Sequence, residues 1–523
     1  MKRFLCLVLS LALLFLCGCS KKKDAYSPTG DALVPEDYSG PANTAPQDPT
    51  PQSLVLTYYP NISMNPYTCT DFTNRALFPL LYQSLFTMDR NYQPEPLLCK
   101  QYSVSQDMMR YTFYLENATF SDGSTLTAQD VAASLQAARS GIMYKGRFTH
   151  ILDVSTAGNA VIITLDTPME LLPLLLDIPI VKASQTAVEQ PLGTGPYYFS
   201  KTGNAASLVR RTNWWCKAVN LQITAPTIAL TRAESVTQIR DEFEFSDLSL
   251  VCADPCSDRY ADYRCDYELW DCENGMFLYM TFSKESVVFA DPQVRAALTY
   301  AIDRDALAAE HYRGFARPAS LPASSQFPHY SQALASRYSY DPERFKQVIT
   351  DHELTGSTIS ILVNKGDSLR LRVARAIGEM LEASGLVVEI KALSGEAYTE
   401  TLTYRVFDLY LGQTRLSPNM DLSPFFYTTG SLSYGGVNDV TAYNLCLQAL
   451  ENHGNYYTLY QTVMDNGLLC PILTGSYAVY ATRGLLTDLT PSRDNVFYYS
   501  LGKTMEQALM LESSQAPATD DNS

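Results

Sequence analysis

Thr119-Phe120-Ser121-Asp122-Gly123, followed closely by Leu126-Thr127-Ala128-Gln129-Asp130-Val131, decides how this chain is read. Ahead of it, Tyr111-Thr112-Phe113-Tyr114-Leu115 alternates in the manner of a strand with one buried face. Asp122-Gly123 supplies a tight turn, because glycine tolerates the positive φ that such turns need. Thr127 stands as an N-cap with Asp130 three residues on, a capping box for a helix carrying Val131, Leu135 and Ala138 on one face. The expectation over 111–139 is a strand, a turn and a capped helix.

Working outward, Ser53 to Tyr59 reads as a strand, and Thr73 to Phe86 as a helix with Leu77, Leu80, Leu81 and Leu85 at helical spacing. Ala160 to Leu165 is an apolar strand, followed by a leucine-rich helix from Met169 to Leu176. In Pro191-Leu192-Gly193-Thr194-Gly195-Pro196-Tyr197-Tyr198-Phe199 the two glycines suit a tight crossing of the chain. A phosphate-cradling loop is the poorer reading, since no Lys follows and no helix starts there. In Phe289-Ala290-Asp291-Pro292-Gln293-Val294-Arg295-Ala296-Ala297-Leu298, Asp291 is an N-cap and Pro292 occupies the first helical position. Asp303 caps the next helix. Thr358–Val363, Ser368–Ser384 with Gly385 as its C-cap, and Leu386–Ile390 form a β-α-β unit.

The motifs at 119–123 and 126–131, at 191–199 and at 289–298, with Leu81-Tyr82-Gln83-Ser84-Leu85 and Pro94-Glu95-Pro96-Leu97-Leu98, resemble the extracellular solute-binding proteins of dipeptide, oligopeptide and nickel ABC importers. They fall in that family's order, and the resemblance covers about Leu54 to Tyr499. It implies an α/β, periplasmic-binding-protein-like two-lobe clamshell with an extra domain inserted in the first lobe. Residues 53–72, 190–285 and 485–511 would form the first lobe, 73–189 the inserted domain, 286–484 the second lobe and 512–523 a disordered tail. The implied function is ligand capture for an importer, with peptides as the leading cargo. A nickel complex, haem or a sugar is the alternative, and a surface receptor or extracytoplasmic chaperone without a transport role is a third reading. The implied partners are the solute and the ABC permease subunits, and a monomer is expected.

In peptide-binding members of the family the ligand backbone lies along a segment matching Leu409 to Phe426, a form of strand addition. Phe407-Asp408-Leu409-Tyr410-Leu411-Gly412 matches the family strand, whose next residues in many peptide binders are a Trp and, three places later, an Asp that pairs with the peptide amine. Here those places are Gln413 and Leu416, with Arg415 between them. Leu cannot accept a hydrogen bond from an ammonium, and Arg repels one. Arg415 either faces solvent as a strand-edge charge or points inward, where its planar fork favours a carboxylate. The candidate ligand-binding residues are Thr70 and Asp71 from the first lobe and Gly412, Gln413, Thr414, Arg415 and Asp421 from the second. Weak dependence on a free peptide amino terminus is expected.

The chain's 523 residues, 46% hydrophobic and 18% charged, argue for a globular protein of two or more domains. Lys2-Arg3 precede an apolar run from Phe4 to Leu16 that is short for a membrane span, and Leu16-Cys17-Gly18-Cys19 resembles a bacterial lipobox. Cys19 is therefore the expected lipidation site, on the outer face of a cytoplasmic membrane. Residues 20–52 read as a flexible tether. Losing Lys2 and Arg3 with the leader takes the formal charge from −16 to −18, which argues against nucleic-acid partners. Nine cysteines follow Cys19, and a disulfide is expected among Cys252, Cys256, Cys265 and Cys272 because the protein is exported. Their spacing is wrong for a zinc knuckle and no His lies nearby, so no metal is expected there. No nucleophile elbow, zinc-protease helix, phosphate loop or dinucleotide fingerprint occurs, and the five His are scattered. The expectation is a binding protein without catalytic residues or cofactor.

Overall fold

The computed structural model describes residues 54–510, apart from 217, 218, 220, 258, 259, 261, 487 and 488. The expected lipidation site at Cys19, the tether and the polar tail lie outside the described residues. Three larger sheets organise the chain. A four-stranded sheet runs in the order Leu54–Tyr58, Thr227–Arg232, Ala205–Arg210, Tyr197–Thr202, with the first pair parallel and the others antiparallel. A second, antiparallel four-stranded sheet joins Cys99–Val104, Arg110–Leu115, Ala160–Leu165 and Ile151–Ala157. The third sheet has seven strands, with Leu250–Ala253, Cys470–Thr482, Tyr267–Phe282, Leu409–Arg415, Thr358–Asn364 and Val387–Leu393 in order and Ala316–Pro318 on the edge of Cys470–Thr482. Together these elements make a two-lobe α/β clamshell.

The stretch around Asp122 folds as its chemistry dictates. Tyr111, Phe113 and Leu115 face inward from Arg110–Leu115. Gly123 takes a φ of +85° at the turn, closed by a bridge between Thr119 and Thr125. Helix Ala128–Ser140 starts with a complete capping box, in which the Thr127 N–H donates to Asp130 Oδ2 at 2.9 Å. Its Ser134 hydroxyl donates to the Val181 carbonyl at 3.1 Å and accepts the Val181 N–H at 3.0 Å, tying the helix to the 178–185 segment. The Gly193-Thr194-Gly195 crossing is as tight as its glycines suggest. A Cβ at Gly193 or Gly195 would run into the backbone of Leu80 and Leu81.

The β-α-β unit is present as Thr358–Asn364, Ser368–Ala383 and Val387–Leu393, with the two strands parallel and Gly385 in the left-handed region just after the helix. Asp291 caps helix Pro292–Ala301, and Asp303 caps Arg304–His311. Strands Tyr267–Phe282 and Cys470–Thr482 belong to two cores at once. Cys272, Tyr477, Val479 and Ala481 pack with the first four-stranded sheet, whereas Leu278, Met280, Cys470 and Ile472 pack beneath the β-α-β unit. Between these ends their register shifts from Glu273–Ser476 to Phe277–Thr474, with Gly275 at a φ of +76°. This break in the ladder lies where the two cores part.

Three expectations are corrected. The single helix expected over Thr73–Phe86 is two separate turns, Phe72–Arg75 and Phe78–Leu81, and Phe86 opens a strand. Pro79 has no N–H to continue the ladder, and its ring clashes with the carbonyl four residues back. Pro173 has the same consequence at 169–176, where only a 3₁₀ turn, Leu172–Leu176, forms. The expected disulfide is absent, for Cys252, Cys256, Cys265 and Cys272 are all free thiols. Cys252 sits opposite Val479 and Cys272 opposite Tyr477, on strands flanking Cys470–Thr482 from either side. Two strand spacings separate them, about 10 Å, beyond the roughly 7 Å that a disulfide spans between Cα atoms. Burial pushes the Cys272 and Cys256 thiols up to about 12, which keeps them protonated and inert.

Candidate functional site

Strand Leu409–Arg415 is antiparallel to Tyr267–Phe282 along its whole length. On its other edge the register with Thr358–Asn364 ends at Tyr410, so residues 411–415 keep one hydrogen-bonded neighbour strand. Gly412 is buried, and a Cβ there would meet the Tyr279 and Tyr410 rings, which accounts for the glycine by packing. Gln413 is exposed and Thr414 half-buried. Arg415 turns inward. Its Nε donates to the Asn274 carbonyl at 3.0 Å and its Nη2 to Asp494 Oδ1.

Asp494 is where the sequence-distant parts of the chain meet. Among the described residues four guanidinium groups surround its carboxylate. Arg75 Nη2 donates to Oδ1 at 3.2 Å, beside Arg415, and Arg147 Nη2 donates to Oδ2 at 3.1 Å. Arg493 Nε lies 3.7 Å from Oδ2. Arg147 also pairs with Asp177. Burial opposes ionisation of Asp494, but Arg415, Arg147, Arg493 and Arg75 overcome it and hold the carboxyl far below the usual range. Burial depresses the Arg147 guanidinium to about 10, with Asp494 working against it. Arg415 and Arg493 move in opposite directions. Burial depresses both, yet the short contact with Asp494 leaves Arg415 raised, while Arg493, with Arg415 beside it, stays lowered.

A cavity of about 50 Å³ abuts the cluster, lined among others by Arg75, Gln83, Tyr144, Asp177 and Asp494. On this measure one water needs roughly 10–15 Å³, so the space holds several waters or a small polar group.

The other expected site residues are placed elsewhere. Thr70 is exposed. Asp71 caps the turn Phe72–Arg75 by accepting the Asn74 N–H at 3.1 Å, so it acts on the cluster only by holding the turn that presents Arg75. Asp421 does not join Arg415. Its Oδ1 accepts the Ser423 N–H at 2.8 Å and its Oδ2 lies 3.4 Å from His150 Nε2. His150 in turn pairs with Asp166 at 2.9 Å and meets the Ser423 hydroxyl at 3.2 Å. Burial works against the imidazolium, but Asp421 and Asp166 prevail and raise the His150 pKa. A more exposed pair joins His453 Nδ1 and Glu170 at 2.7 Å, with His453 stacked on His329.

Sequence reading missed Arg75, Arg147, Asp177, Arg493 and Asp494, because no spacing rule links positions hundreds of residues apart. The adjacent Arg493-Asp494 pair and Arg415 on a motif strand were the available signals. Among the described residues, no group of three or more His, Cys, Asp or Glu side chains is placed to hold a metal ion. Within the same residues no helix is long and apolar enough to cross a membrane.

Residues 93–436 match the model of the bacterial extracellular solute-binding proteins, family 5 (middle). The glutathione-binding protein GsiB of Shigella flexneri serotype 5b (strain 8401) is 25% identical over 363 residues, covering 63% of this chain and 67% of that protein. Among solved structures, NikA of Brucella suis in complex with Fe(III)-EDTA superposes with a TM-score of 0.67 at 16% identity, covering 85% of this chain and 98% of that one. The oligopeptide-binding protein AppA of Bacillus subtilis, in complex with a nonapeptide, gives a TM-score of 0.59 at 18% identity, covering 87% and 100%.

Proposed function

The chain belongs to the bacterial extracellular solute-binding proteins of family 5, and from that premise we propose that it is the ligand-capture subunit of an ABC importer, with peptides as its cargo. The observation that supports this best is the Asp494 cluster. It gathers side chains from the turn at 72–75, the segment 147–177, the strand Leu409–Arg415 and the loop 493–494 at one buried point. Lobes that meet through such a point can enclose a solute when they close. The one-sided pairing of residues 411–415 leaves a strand edge on which an extended peptide backbone can lie.

The proposal includes the division into a first lobe (53–72, 190–285, 485–511), an inserted domain (73–189) and a second lobe (286–484), with Gly412, Gln413, Thr414 and Arg415 lining the cleft. It also includes a non-catalytic role, partnership with membrane permease subunits, and a lipid anchor at Cys19 on the outer face of the cytoplasmic membrane. Mass spectrometry of the solutes that co-purify with the protein tests the cargo. Peptides are expected, and a metal chelate, a haem or a glycan in their place would refute the cargo class. Metabolic labelling with a fatty-acid analogue tests the anchor: label retained by Cys19→Ser would rule it out.

A further inference from the structure

A buried guanidinium is tolerated when its N–H groups find acceptors. Arg304 shows how this chain meets that demand in its core. Arg304 Nε donates to the carbonyls of Ala319 and Pro471, both at 3.0 Å. Its Nη1 donates to the Thr299 carbonyl at 3.0 Å, and its Nη2 to the Thr299 hydroxyl at 2.7 Å and the Pro471 carbonyl at 2.8 Å.

Arg415 and Arg493 fall short of that standard. Nη1 of Arg415 and both Nε and Nη1 of Arg493 are buried without a hydrogen-bond partner, although the Arg493 side chain is only 3% exposed. Arg493 Nη2 alone is satisfied, by the Leu416 carbonyl. The charges are unbalanced as well. Arg75, Arg147, Arg415 and Arg493 face Asp494 and Asp177, which leaves two positive charges in excess at this point. Glu273, a further buried carboxylate near Arg493, is held by Ser324 and Thr474 and shares Arg317 with Asp271, which brings the excess over the wider group to one positive charge. An anionic group entering the cluster would meet open donors and uncompensated charge together.

We infer that the captured solute carries a carboxylate that binds Arg415 and Arg493 at this cluster, with Asp494 as the built-in anion whose place on Arg415 it takes. This names the ligand class for the capture reading above and rests on it. The planar fork of arginine matches the two oxygens of a carboxylate. The adjoining cavity is lined by Arg75, Asp177 and Asp494 and by neither Arg415 nor Arg493, so the carboxylate reaches these two arginines by displacing Asp494.

Isothermal titration calorimetry of the purified protein tests this with short peptides supplied as free acids, as C-terminal amides and as N-acetylated acids. Free and N-acetylated acids should bind alike, and the amides should bind about ten-fold more weakly or worse. Arg415→Gln should abolish the preference for the acid, and Arg493→Lys, which keeps the charge but removes the fork, should reduce it. Equal binding of acids and amides by the unaltered protein overturns the inference and leaves peptide capture standing. So does a preference that survives in Arg415→Gln. If no form of any peptide binds, peptide capture fails, and thermal melts with succinate at matched ionic strength decide the cluster by themselves. A melting-temperature rise lost in Arg415→Gln upholds the carboxylate site, and the absence of a rise removes it.

Discussion

Arg304 and the cluster around Asp494 solve the same problem in opposite ways. Arg304 is buried with no carboxylate bonded to it, yet backbone carbonyls and one hydroxyl take up its nitrogens. The Asp494 cluster has carboxylates in direct contact, yet three guanidinium nitrogens are left without an acceptor. Backbone carbonyls are fixed by the fold and cannot be displaced, so a guanidinium they satisfy serves stability. A side-chain carboxylate can move away, so guanidinium groups held by one can exchange it for another anion. The degree to which a buried charge is satisfied thus separates a structural arginine from a binding one.

The comparison can be broken most decisively at Arg304. Arg304→Ala orphans the carbonyls of Ala319, Pro471 and Thr299, and unfolding in urea should show a loss of about 3–5 kcal/mol. Any solute that binds the intact protein should bind the folded fraction of this variant unchanged. Arg415→Ala should do the reverse. Asp494 keeps three arginines and a like-charge repulsion is relieved, so stability should change by less than about 1 kcal/mol. Solute affinity measured by calorimetry should nevertheless drop about ten-fold or more, and by more than in Asp421→Ala, whose carboxylate is occupied by Ser423 and His150. A destabilised Arg415→Ala with unchanged affinity would reverse the assignment.

A subtler test uses pH, because the third polar contact, His150 with Asp166 and Asp421, titrates where the arginine cluster does not. The His150 pKa is raised on folding. Its stabilising contribution is therefore complete below the unfolded value, about 6.5, and is lost as pH rises through the higher folded value. Asp494 is depressed, so its contribution is complete above its unfolded value, about 3.9, and is lost only in strong acid. Urea midpoints collected between pH 5 and 8 should decline with pH in the unaltered protein, by the equivalent of about 1 kcal/mol. The slope should be nearly flat in His150→Gln. The smallest effect is expected at His453, whose pair with Glu170 is largely exposed. His453→Gln should shift stability by less than about 0.5 kcal/mol, and less again in high salt.

Much of this architecture was legible before any coordinates, and the reasons are local. A capping box needs residues three apart, a glycine turn needs two, and a β-α-β unit announces itself through apolar periodicity within each element. Thr127 with Asp130, Asp122 with Gly123, and Ser368–Ala383 between its parallel strands all follow from such short-range rules. The errors have local causes too. Leucine spacing at 77–85 suits one helix or two successive turns equally, and Pro79 decides between them. The inward turn of Arg415 was one of two open alternatives, and its partner was in neither.

What the sequence determined by itself is most of the elements, their caps and turns, and the order of the family's motifs. Tertiary structure alone decided which charges meet. Arg75, Arg147, Asp177, Arg415 and Asp494 lie on segments that no periodicity relates, and only the tertiary fold brings them to one buried point. The cysteines teach the same lesson in reverse, since Cys252 and Cys272 are near neighbours in sequence but stand on opposite sides of a third strand. Local rules reach a few residues because backbone hydrogen bonds and caps act over one turn. Ion clusters and crosslinks depend on strand order, which the whole chain sets together.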